Sequence, residues 1–315
     1  MNSFVVMMNP PEHTQLRTIL LEAWDNRDVD QLILENINSL LNKIQDRSFD
    51  LVRHFAEPLP AMTMTRIMGL PIEDYQQLKK LATSIIRSLD IYLSFKDLVQ
   101  IDSSSKQFIA YLNQYLDYRE SHLSNDLVSK VIYQHKKIGI PLERRKMISI
   151  CLFLFTAGEE TTVNLIGTGL FTLLKHPDQL HSIMANPPLL ENAADEALRF
   201  ESPVQLLGRI ANKDLIINGV AVKENETLTL CLGAANRDPK IFQRPDSFDI
   251  MRNAKNHLGF GAGIHFCLGS WLAKKQWKMA VQALLTKFPT LQITEAPVWN
   301  KMLSVRGLTS LTVSC

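Results

Sequence analysis

The sequence predicts a mainly α protein with a small β portion, organised as a single domain over residues 1–315. Apolar residues recur at helical spacing through the first two-thirds of the chain, whereas turn signals and short β-rich runs follow Pro203. We find no internal repeat, low-complexity tract or linker that would divide the chain. Because 46% of the 315 residues are hydrophobic and 21% are charged, the chain has enough apolar surface for one large core.

Helices are predicted in sequence order from proline signals and apolar periodicity. The first opens at Pro10-Pro11, since proline fits the first turn of a helix, and it carries Leu16, Ile19 and Ala23 on one face. Further helices are predicted over residues 28–44, 51–68, 74–89, 104–118, 141–174 and 270–288. The 141–174 helix would be about 50 Å long. Its middle is apolar on most faces, which indicates a buried helix.

The β portion is predicted after Pro203. Asn218-Gly219 separates two apolar runs and is a strong hairpin signal, which predicts paired strands over 215–217 and 220–222. Another strand is predicted over 227–232, and short strands over 291–313. The stretch 237–257 carries two prolines and several Asp and Asn residues, so we expect irregular structure there.

Composition excludes several classes of protein. The formal net charge of +2 provides no general attraction to nucleic acid or anionic membranes. The longest apolar run, 148–157, has about half of the roughly 20 residues that a membrane-spanning helix needs. The N-terminus lacks a basic signal region, so we expect a cytoplasmic protein. The four cysteines are widely spaced without a CxxC pair, which argues against a disulfide scaffold or a zinc site.

The most specific stretch is residues 260–269, FGAGIHFCLG, immediately before an amphipathic helix. Glycines allow a backbone to approach a flat ligand closely. A cysteine at a helix N-terminus, here Cys267, has its thiolate stabilised by free N–H groups, and such a thiolate is a good iron ligand. Taken alone, the stretch also fits a flexible loop with a buried, inert cysteine.

A second motif, AGEETT at 157–162, lies in the middle of the long apolar helix. Unpaired carboxylates at Glu159 and Glu160 would be costly there, so a structural role needs a buried partner. The alternative is a solvated patch where the helix reaches the surface. Thr161 can donate to the carbonyl of Ala157, four residues earlier, and this hydrogen bond would loosen the helix locally.

A third motif pairs Glu196 with Arg199 at i,i+3 spacing. On a helix surface such a pair contributes only a few tenths of a kcal/mol. Taken alone, the spacing is typical of a solvent-exposed pair.

Residues 260–269 closely resemble the heme-binding signature of the cytochrome P450 family, and the other two motifs occur in that family's order. The resemblance implies that Cys267 is the axial thiolate ligand of heme iron. It implies that His265 hydrogen-bonds a heme propionate and that Phe260 packs beside the sulfur. Glu160 and Thr161 would be the acid–alcohol pair that relays protons, whereas Glu159 occupies a variable position.

Further matches concern heme carboxylates and structural support. PPEHTQLR at 10–17 resembles the start of the family's C helix. The resemblance implies that His13 and Arg17, one turn apart, bind propionates together with Arg209. Glu196 and Arg199 resemble the family's ExxR pair. With Arg252 as the further arginine, they would support the cysteine loop rather than catalyse.

The resemblance is closest to soluble bacterial members and implies a heme-thiolate monooxygenase. It would carry heme b (iron protoporphyrin IX) and hydroxylate or epoxidise an apolar small molecule with dioxygen. Electrons would come from a ferredoxin or flavodoxin with its reductase, because the chain has no flavin or nicotinamide fingerprint. Lys274, Lys275 and Lys278 either dock an acidic redox partner or form an ordinary solvated helix face. Macrolide, terpenoid and fatty-acid substrates all remain open.

Two other functions remain open. One is a peroxide-driven peroxygenase, against which the intact acid–alcohol pair argues. The other is a non-catalytic heme-binding or partner-binding remnant. The family has a substantial region before its C helix, and this chain begins almost at that helix. We therefore expect a cytochrome P450 fold lacking its N-terminal helices and first sheet strands, whether through a fragment, a misassigned start or a truncated gene. Gln276 also departs from the family, which commonly has an acidic residue there.

Overall fold

The computed structural model describes residues 4–24 and 29–315 and is mainly helical, as predicted. Within these ranges the α-helices are α1 (Glu12–Ala23), α2 (Val29–Lys43), α3 (Pro58–Ile67), α4 (Tyr75–Ile86), α5 (Phe95–Ser121), α6 (Leu127–Ile138), α7 (Arg144–Leu174), α8 (Pro177–Ala185), α9 (Leu190–Phe200), α10 (Leu232–Ala235) and α11 (Ser270–Lys287). Short 3₁₀ turns occur at Val5–Met7, Ile72–Asp74, Arg87–Leu89, Pro187–Leu189 and Gly263–His265.

The strands are short and form small antiparallel sheets. They are β1 (Ser48–Asp50), β2 (Leu206–Ile210), β3 (Leu215–Ile217), β4 (Val220–Val222), β5 (Thr227–Cys231), β6 (Gln292–Ile293), β7 (Val298–Trp299), β8 (Leu308–Ser310) and β9 (Thr312–Ser314). One sheet has the order β1-β9-β6, and the other pairs are β2-β5, β3-β4 and β7-β8.

The long helix α7 is the centre of the core. Its 31 residues span about 47 Å, and it packs against α3, α4, α5, α9 and α11. The predicted start at residue 141 moves to Arg144, since Pro141 and the two residues after it lie outside the helix. Buried side chains such as Phe155, Ile166 and Trp277 belong to one core that extends from Phe4 to Val313.

Other helix boundaries differ from the predictions for local reasons. Helix α5 begins at Phe95 rather than near residue 104, because Ser94 and Asp97 form a reciprocal capping box. The predicted 51–68 helix divides into a π-helical segment, Val52–Ala56, and α3, which has proline at its first position. Helices α6, α8, α9 and α10 had no separate prediction. The first residue of the predicted 28–44 helix lies outside the described residues.

The predicted hairpin is confirmed. Ile217 pairs with Val220, and the intervening Asn218 and Gly219 both have positive φ, 48° and 83°. The strand predicted over 227–232 is β5, whose partner β2 had no prediction. Strand β1 was also missed, because three residues are too few for a periodic signal and its partner β9 lies at the other end of the chain.

Residues 237–257 contain neither helix nor strand, as predicted. Across the described part of the chain, none of the helices combines the length and apolar character that crossing a bilayer requires.

Candidate functional site

The loop that carries Cys267 is a tight turn immediately before α11. Gly261 and Gly263 adopt φ of 68° and 70°, a conformation that residues with a Cβ rarely adopt. The N–H of Cys267 donates to the carbonyl of Phe260 at 3.0 Å, which closes the loop. The ring of Phe260 lies 6.2 Å from the ring of Phe266. The loop therefore holds the sulfur at one defined place above the start of α11.

The electrostatics at Cys267 differ in part from the prediction. Burial raises the pKa of the Cys267 thiol, whereas the Gly269 N–H and the Arg17 guanidinium act in the opposite direction. The helix N-terminus contributes as expected, but burial outweighs it. A coordinated metal cation deprotonates such a thiol. Without such a cation, burial favours the protonated thiol at Cys267.

A cluster of two histidines and two arginines lies where α1 packs against the same loop. His13 is 2% exposed, and its ring centroid lies 4.5 Å from that of His265. Arg17 donates from Nη2 to the carbonyl of Phe266 at 2.6 Å. Burial lowers the pKa of His265, and His13, Arg209 and Arg17 lower it further. The four residues predicted to bind propionates therefore lie within electrostatic reach of one another.

His13 provides a test of whether an anionic group fits this cluster. Neither ring nitrogen of His13 has a hydrogen-bond partner among the described residues. Burial and the Arg17 charge lower the pKa of this imidazole. An unpartnered buried polar group is costly, and it is explained if a ligand supplies the partner. The arrangement fits heme, whose two carboxylates need cationic and hydrogen-bonding partners.

On α7, the predicted hydrogen bond of Thr161 is present. Its Oγ1 donates to the carbonyl of Ala157 at 2.8 Å. The hydrogen bond was expected to loosen the helix locally, but α7 is continuous from Arg144 to Leu174 through this stretch. Glu159 is 1% exposed, so the alternative of a solvated patch is wrong for that residue. Helix α7 packs against α11, the helix that follows the cysteine loop.

The pKa values of the Glu159 and Glu160 carboxyls are both strongly raised. Burial, and then the charge of Glu160, raises the pKa of Glu159 well above its usual range. Burial and the Glu57 carboxylate raise the pKa of Glu160 to about 7. The Lys79 ammonium opposes both shifts. Lys79 is the nearby cation, but its side chain is 26% exposed and its ammonium pairs with Glu57, so it is not the buried partner that a structural role would need.

Glu196 and Arg199 form a fully buried pair, contrary to the surface reading that their spacing alone favours. Both side chains are 0% exposed. Arg199 donates from Nε and Nη2 to the two carboxylate oxygens of Glu196, at 2.7 and 2.8 Å. Its Nη1 donates to the carbonyls of Asn236 and Pro245. This pair therefore connects α9 to the irregular segment before the cysteine loop.

Arg252 completes that network. Its Nε donates to Glu196 Oε1 at 3.2 Å, and the Asp249 N–H donates to the same oxygen at 2.9 Å. Arg252 also donates from Nη2 to the carbonyls of Arg244 and Ser247. The structure therefore places the three predicted supporting residues in one network.

Sequence reasoning missed a second support of the loop. His257 lies between Asp195 of α9, with Nε2 3.4 Å from Oδ1, and the N–H of Gly259, which donates to Nδ1 at 3.0 Å. Lys274 of α11 contacts the same carboxylate at 2.9 Å. An isolated histidine provides no motif, so only the packing of α9 against this segment reveals its role.

The three lysines after the cysteine are committed to ion pairs within the chain. Lys274 contacts Asp195 and Glu191, Lys278 also contacts Glu191, and Lys275 contacts Asp30 of α2. These contacts favour a paired helix face over three free cations that await an acidic partner.

Comparisons with known proteins agree with this geometry. The sequence profile of the family described as Cytochrome P450 matches residues 1–312. The biotin biosynthesis cytochrome P450 of Bacillus subtilis (strain 168) is 38% identical over 298 residues, which cover 93% of this chain and 75% of that protein. The 6-deoxyerythronolide B hydroxylase of Saccharopolyspora erythraea is 33% identical, with 97% and 76% covered. A solved structure of P450BioI in complex with a hexadec-9Z-enoic acid ligated acyl carrier protein superposes with a TM-score of 0.94 at 36% identity, covering 100% of this chain and 82% of that one.

Proposed function

This chain belongs to the cytochrome P450 family of heme-dependent monooxygenases, and from that premise we propose that it oxidises an apolar small molecule with dioxygen. The observation that carries the proposal is the glycine-shaped loop that holds Cys267 beside the cluster of His13, Arg17, Arg209 and His265. We further propose that residues 1–315 act as one domain, since one core extends through them.

Heme b is the proposed cofactor. Cys267 Sγ would ligate the iron with Phe260 beside it, and His13, Arg17, Arg209 and His265 would hold the two propionates. Heme, when bound, supplies the iron that activates dioxygen for transfer of one oxygen atom to a substrate. The partnerless nitrogens of His13 support this assignment, because a propionate would supply the hydrogen bond that folding leaves unmade.

Glu160 and Thr161 are the proposed proton relay. A carboxyl with a pKa of about 7 is close to half-protonated at neutral pH, so Glu160 can both give and take a proton there. Thr161 donates its hydroxyl proton to the carbonyl of Ala157, which leaves its oxygen free to accept another hydrogen bond. A titratable carboxyl at Glu160 and a Thr161 hydroxyl oxygen open to a further hydrogen bond together support the proposed relay.

Glu196, Arg199 and Arg252 are proposed as supports of the site. They join α9 to the segment 236–252, which leads into the cysteine loop. A site holds its geometry only when the residues around it are themselves fixed. These residues act on the position of Cys267 and not on the substrate.

The electron donor is proposed to be a ferredoxin or flavodoxin with its reductase.

The compounds to test as substrates are chosen from what the relatives bind or act on. Long-chain fatty acids, free and linked to acyl carrier protein, come first because P450BioI was solved with such a carrier. A macrolactone comes second because of the similarity to 6-deoxyerythronolide B hydroxylase.

The carbon monoxide difference spectrum of the reduced, purified chain tests the proposal. We expect the strongly red-shifted Soret band of a thiolate-ligated heme. Cys267→Ala should abolish that band, while Cys231→Ala, at an exposed cysteine, should preserve it. A thiolate spectrum that survives Cys267→Ala would refute the ligand assignment, and absence of heme from the unmodified chain would refute the function.

Turnover assays then separate the two catalytic reactions. We expect product from NADPH with a surrogate ferredoxin and its reductase. Product from hydrogen peroxide alone, with no activity in the ferredoxin assay, would replace the monooxygenase proposal with a peroxygenase.

A further inference from the structure

Glu159 is a deeply buried carboxyl that the proposed reaction does not use. It is 1% exposed in the middle of α7, and its Oε2 finds no hydrogen-bond partner in the described residues. A buried acid with an unmade hydrogen bond is destabilising unless it is neutral, because an unpaired charge in the interior is far more costly than a neutral carboxyl. Its position therefore indicates that Glu159 carries a proton.

The charges around Glu159 lead to the same conclusion. Glu160 acts on it from the same helix, Glu57 from the residue that precedes α3, and Lys79 from α4. The ammonium of Lys79 already pairs directly with the Glu57 carboxylate. Three ionised carboxylates against one ammonium would leave two uncompensated negative charges at the junction of three helices. A cluster of this kind retains an additional proton at neutral pH.

A cavity lies beside this cluster, at Lys79. It has a volume of about 390 Å³, and its lining includes Lys43, Arg53, His54, Tyr75 and Lys79. A space of that size holds on the order of ten water molecules. The side chains of Lys79 and Glu57 are 26% and 33% exposed, whereas Glu159 is 1% exposed. Lys79 therefore belongs both to the wall of the water-accessible cavity and to the surroundings of the buried carboxyls.

We propose that Glu159 stores a proton for the Glu160–Thr161 pair and that this cavity is where the proton enters from solvent. The inference rests on the proposed relay. When Glu160 gives up its proton, the Glu159 carboxyl transfers its own proton to the Glu160 carboxylate. A proton taken up from bulk solvent then passes along the water of the cavity to Glu57 and from Glu57 to Glu159, which returns the charge of the cluster to its starting value. Glu159 acts through Glu160 and is a positioning residue for the proton rather than a catalytic residue.

The protonation state of Glu159 is measurable without turnover. Infrared titration of the full chain should show the carbonyl stretch of a protonated carboxyl at pH 7. Glu159→Gln should remove the Glu159 part of that band and leave only the part from Glu160, whose pKa is about 7, whereas Glu73→Gln, at an exposed carboxylate, should leave the whole band unchanged. A spectrum that Glu159→Gln leaves unchanged would show that Glu159 is ionised and would overturn the proposal.

Turnover of the heme-loaded enzyme tests the delivery role. Glu159→Gln should raise the solvent isotope effect and lower the coupled rate by about 10-fold, less than the roughly 100-fold or more that a directly acting acid contributes. Glu159→Asp keeps a carboxyl and should recover most of the rate. A packing role would show the opposite order, since Gln is closer to Glu in size. Equal loss in both variants, or no loss in either, would contradict proton storage.

Lys79 gives an independent readout through the pH profile. Because its ammonium lowers the pKa of Glu160, Lys79→Met should move the midpoint of the coupled-rate profile to higher pH. Lys80→Met, at the exposed neighbour on the same helix, is the matched control and should not move it. If the pH profile of the coupled rate is the same in both variants, Lys79 and the cavity beside it have no part in proton delivery.

These outcomes separate the inference from the proposed function. If Glu160→Gln and Thr161→Ala impair coupling while Glu159→Gln does not, the relay stands and proton storage at Glu159 is wrong. If the chain binds no heme, the proposed function fails and the delivery role fails with it. The infrared titration still decides in that case whether Glu159 holds a proton.

Discussion

Glu196 of α9 and Glu159 of α7 are both helical carboxyls removed from water, yet their surroundings are opposite. Glu196 accepts hydrogen bonds from Arg199, Arg252 and the Asp249 N–H. Glu159 has an oxygen without a partner among the described residues, and its nearest cation is already paired with Glu57. The fully hydrogen-bonded carboxylate of Glu196 holds its neighbouring elements in place. Glu159 lacks such partners, so its carboxyl is held in the protonated form and can exchange that proton.

The difference arises from where the partners come from. Arg199 lies one turn after Glu196 on the same helix, so the pair is already adjacent when α9 forms. The groups that act on Glu159 from outside its helix come from the start of α3 and from α4, and both are set by the packing of three helices. The local Arg199 neutralises Glu196 as soon as α9 forms, and Arg252 and the Asp249 N–H add to it on packing, whereas the cation that acts on Glu159 reaches it only through packing.

The largest expected change in stability comes from disrupting the Glu196–Arg199 pair. Arg199→Ala leaves Glu196 buried without its main partner, and loss of one member of a buried ion pair costs about 3–5 kcal/mol in free energy of unfolding. Urea unfolding measures this loss. Arg145→Ala, at an exposed arginine of α7, should change the same quantity by less than about 0.5 kcal/mol. A loss below about 1 kcal/mol in Arg199→Ala would mean that the pair does not support the fold.

A smaller change, a gain in stability, is expected when Glu160 of α7 is replaced by glutamine. The pKa of Glu160 rises from 4.5 to about 7 on folding, so between those pH values the native chain binds more protons than the unfolded chain. Stability of the unmodified chain therefore falls as pH rises through this window. Glutamine does not titrate, so Glu160→Gln does not lose stability in this window. Relative to the unmodified chain, its free energy of unfolding should rise by on the order of 3 kcal/mol from pH 4 to pH 8.

Thermal unfolding at the two pH values measures this gain. Only the pH-dependent part counts, because the amide also changes local hydrogen bonds by an amount that does not vary with pH. Glu73→Gln, at an exposed carboxylate, is the control and should show no such difference. A stability gap in Glu160→Gln that is equal at both pH values would show that Glu160 titrates normally.

The smallest effect on stability is expected at Thr161. Thr161→Ala removes one hydrogen bond to a carbonyl and should cost about 1 kcal/mol or less. It should retain heme but divert electrons from product to hydrogen peroxide or water. Thr162→Ala is a matched control, because Thr162 makes the same kind of bond to the Gly158 carbonyl. Equal coupling of electrons to product in both variants would argue against a relay at Thr161.

Much of the fold could be predicted because its determinants are close together in the chain. Asn218-Gly219 predicted the hairpin, and the apolar middle of 141–174 predicted a buried helix. The cysteine loop is equally local, since Gly261, Gly263 and Cys267 lie within seven residues. Elements such as β1 escaped prediction because their signals are short and their partners lie hundreds of residues away.

The sequence by itself determined the helical class, the turns and the motif residues, because backbone preferences and spacing act over a few residues. The tertiary structure alone decided that Glu159 is buried and incompletely paired, that His257 connects Asp195 to the loop, and that the lysines after Cys267 are already paired. Burial and charge compensation depend on which elements meet. That outcome is fixed by packing between segments far apart in the chain, so these properties emerge only in the folded molecule.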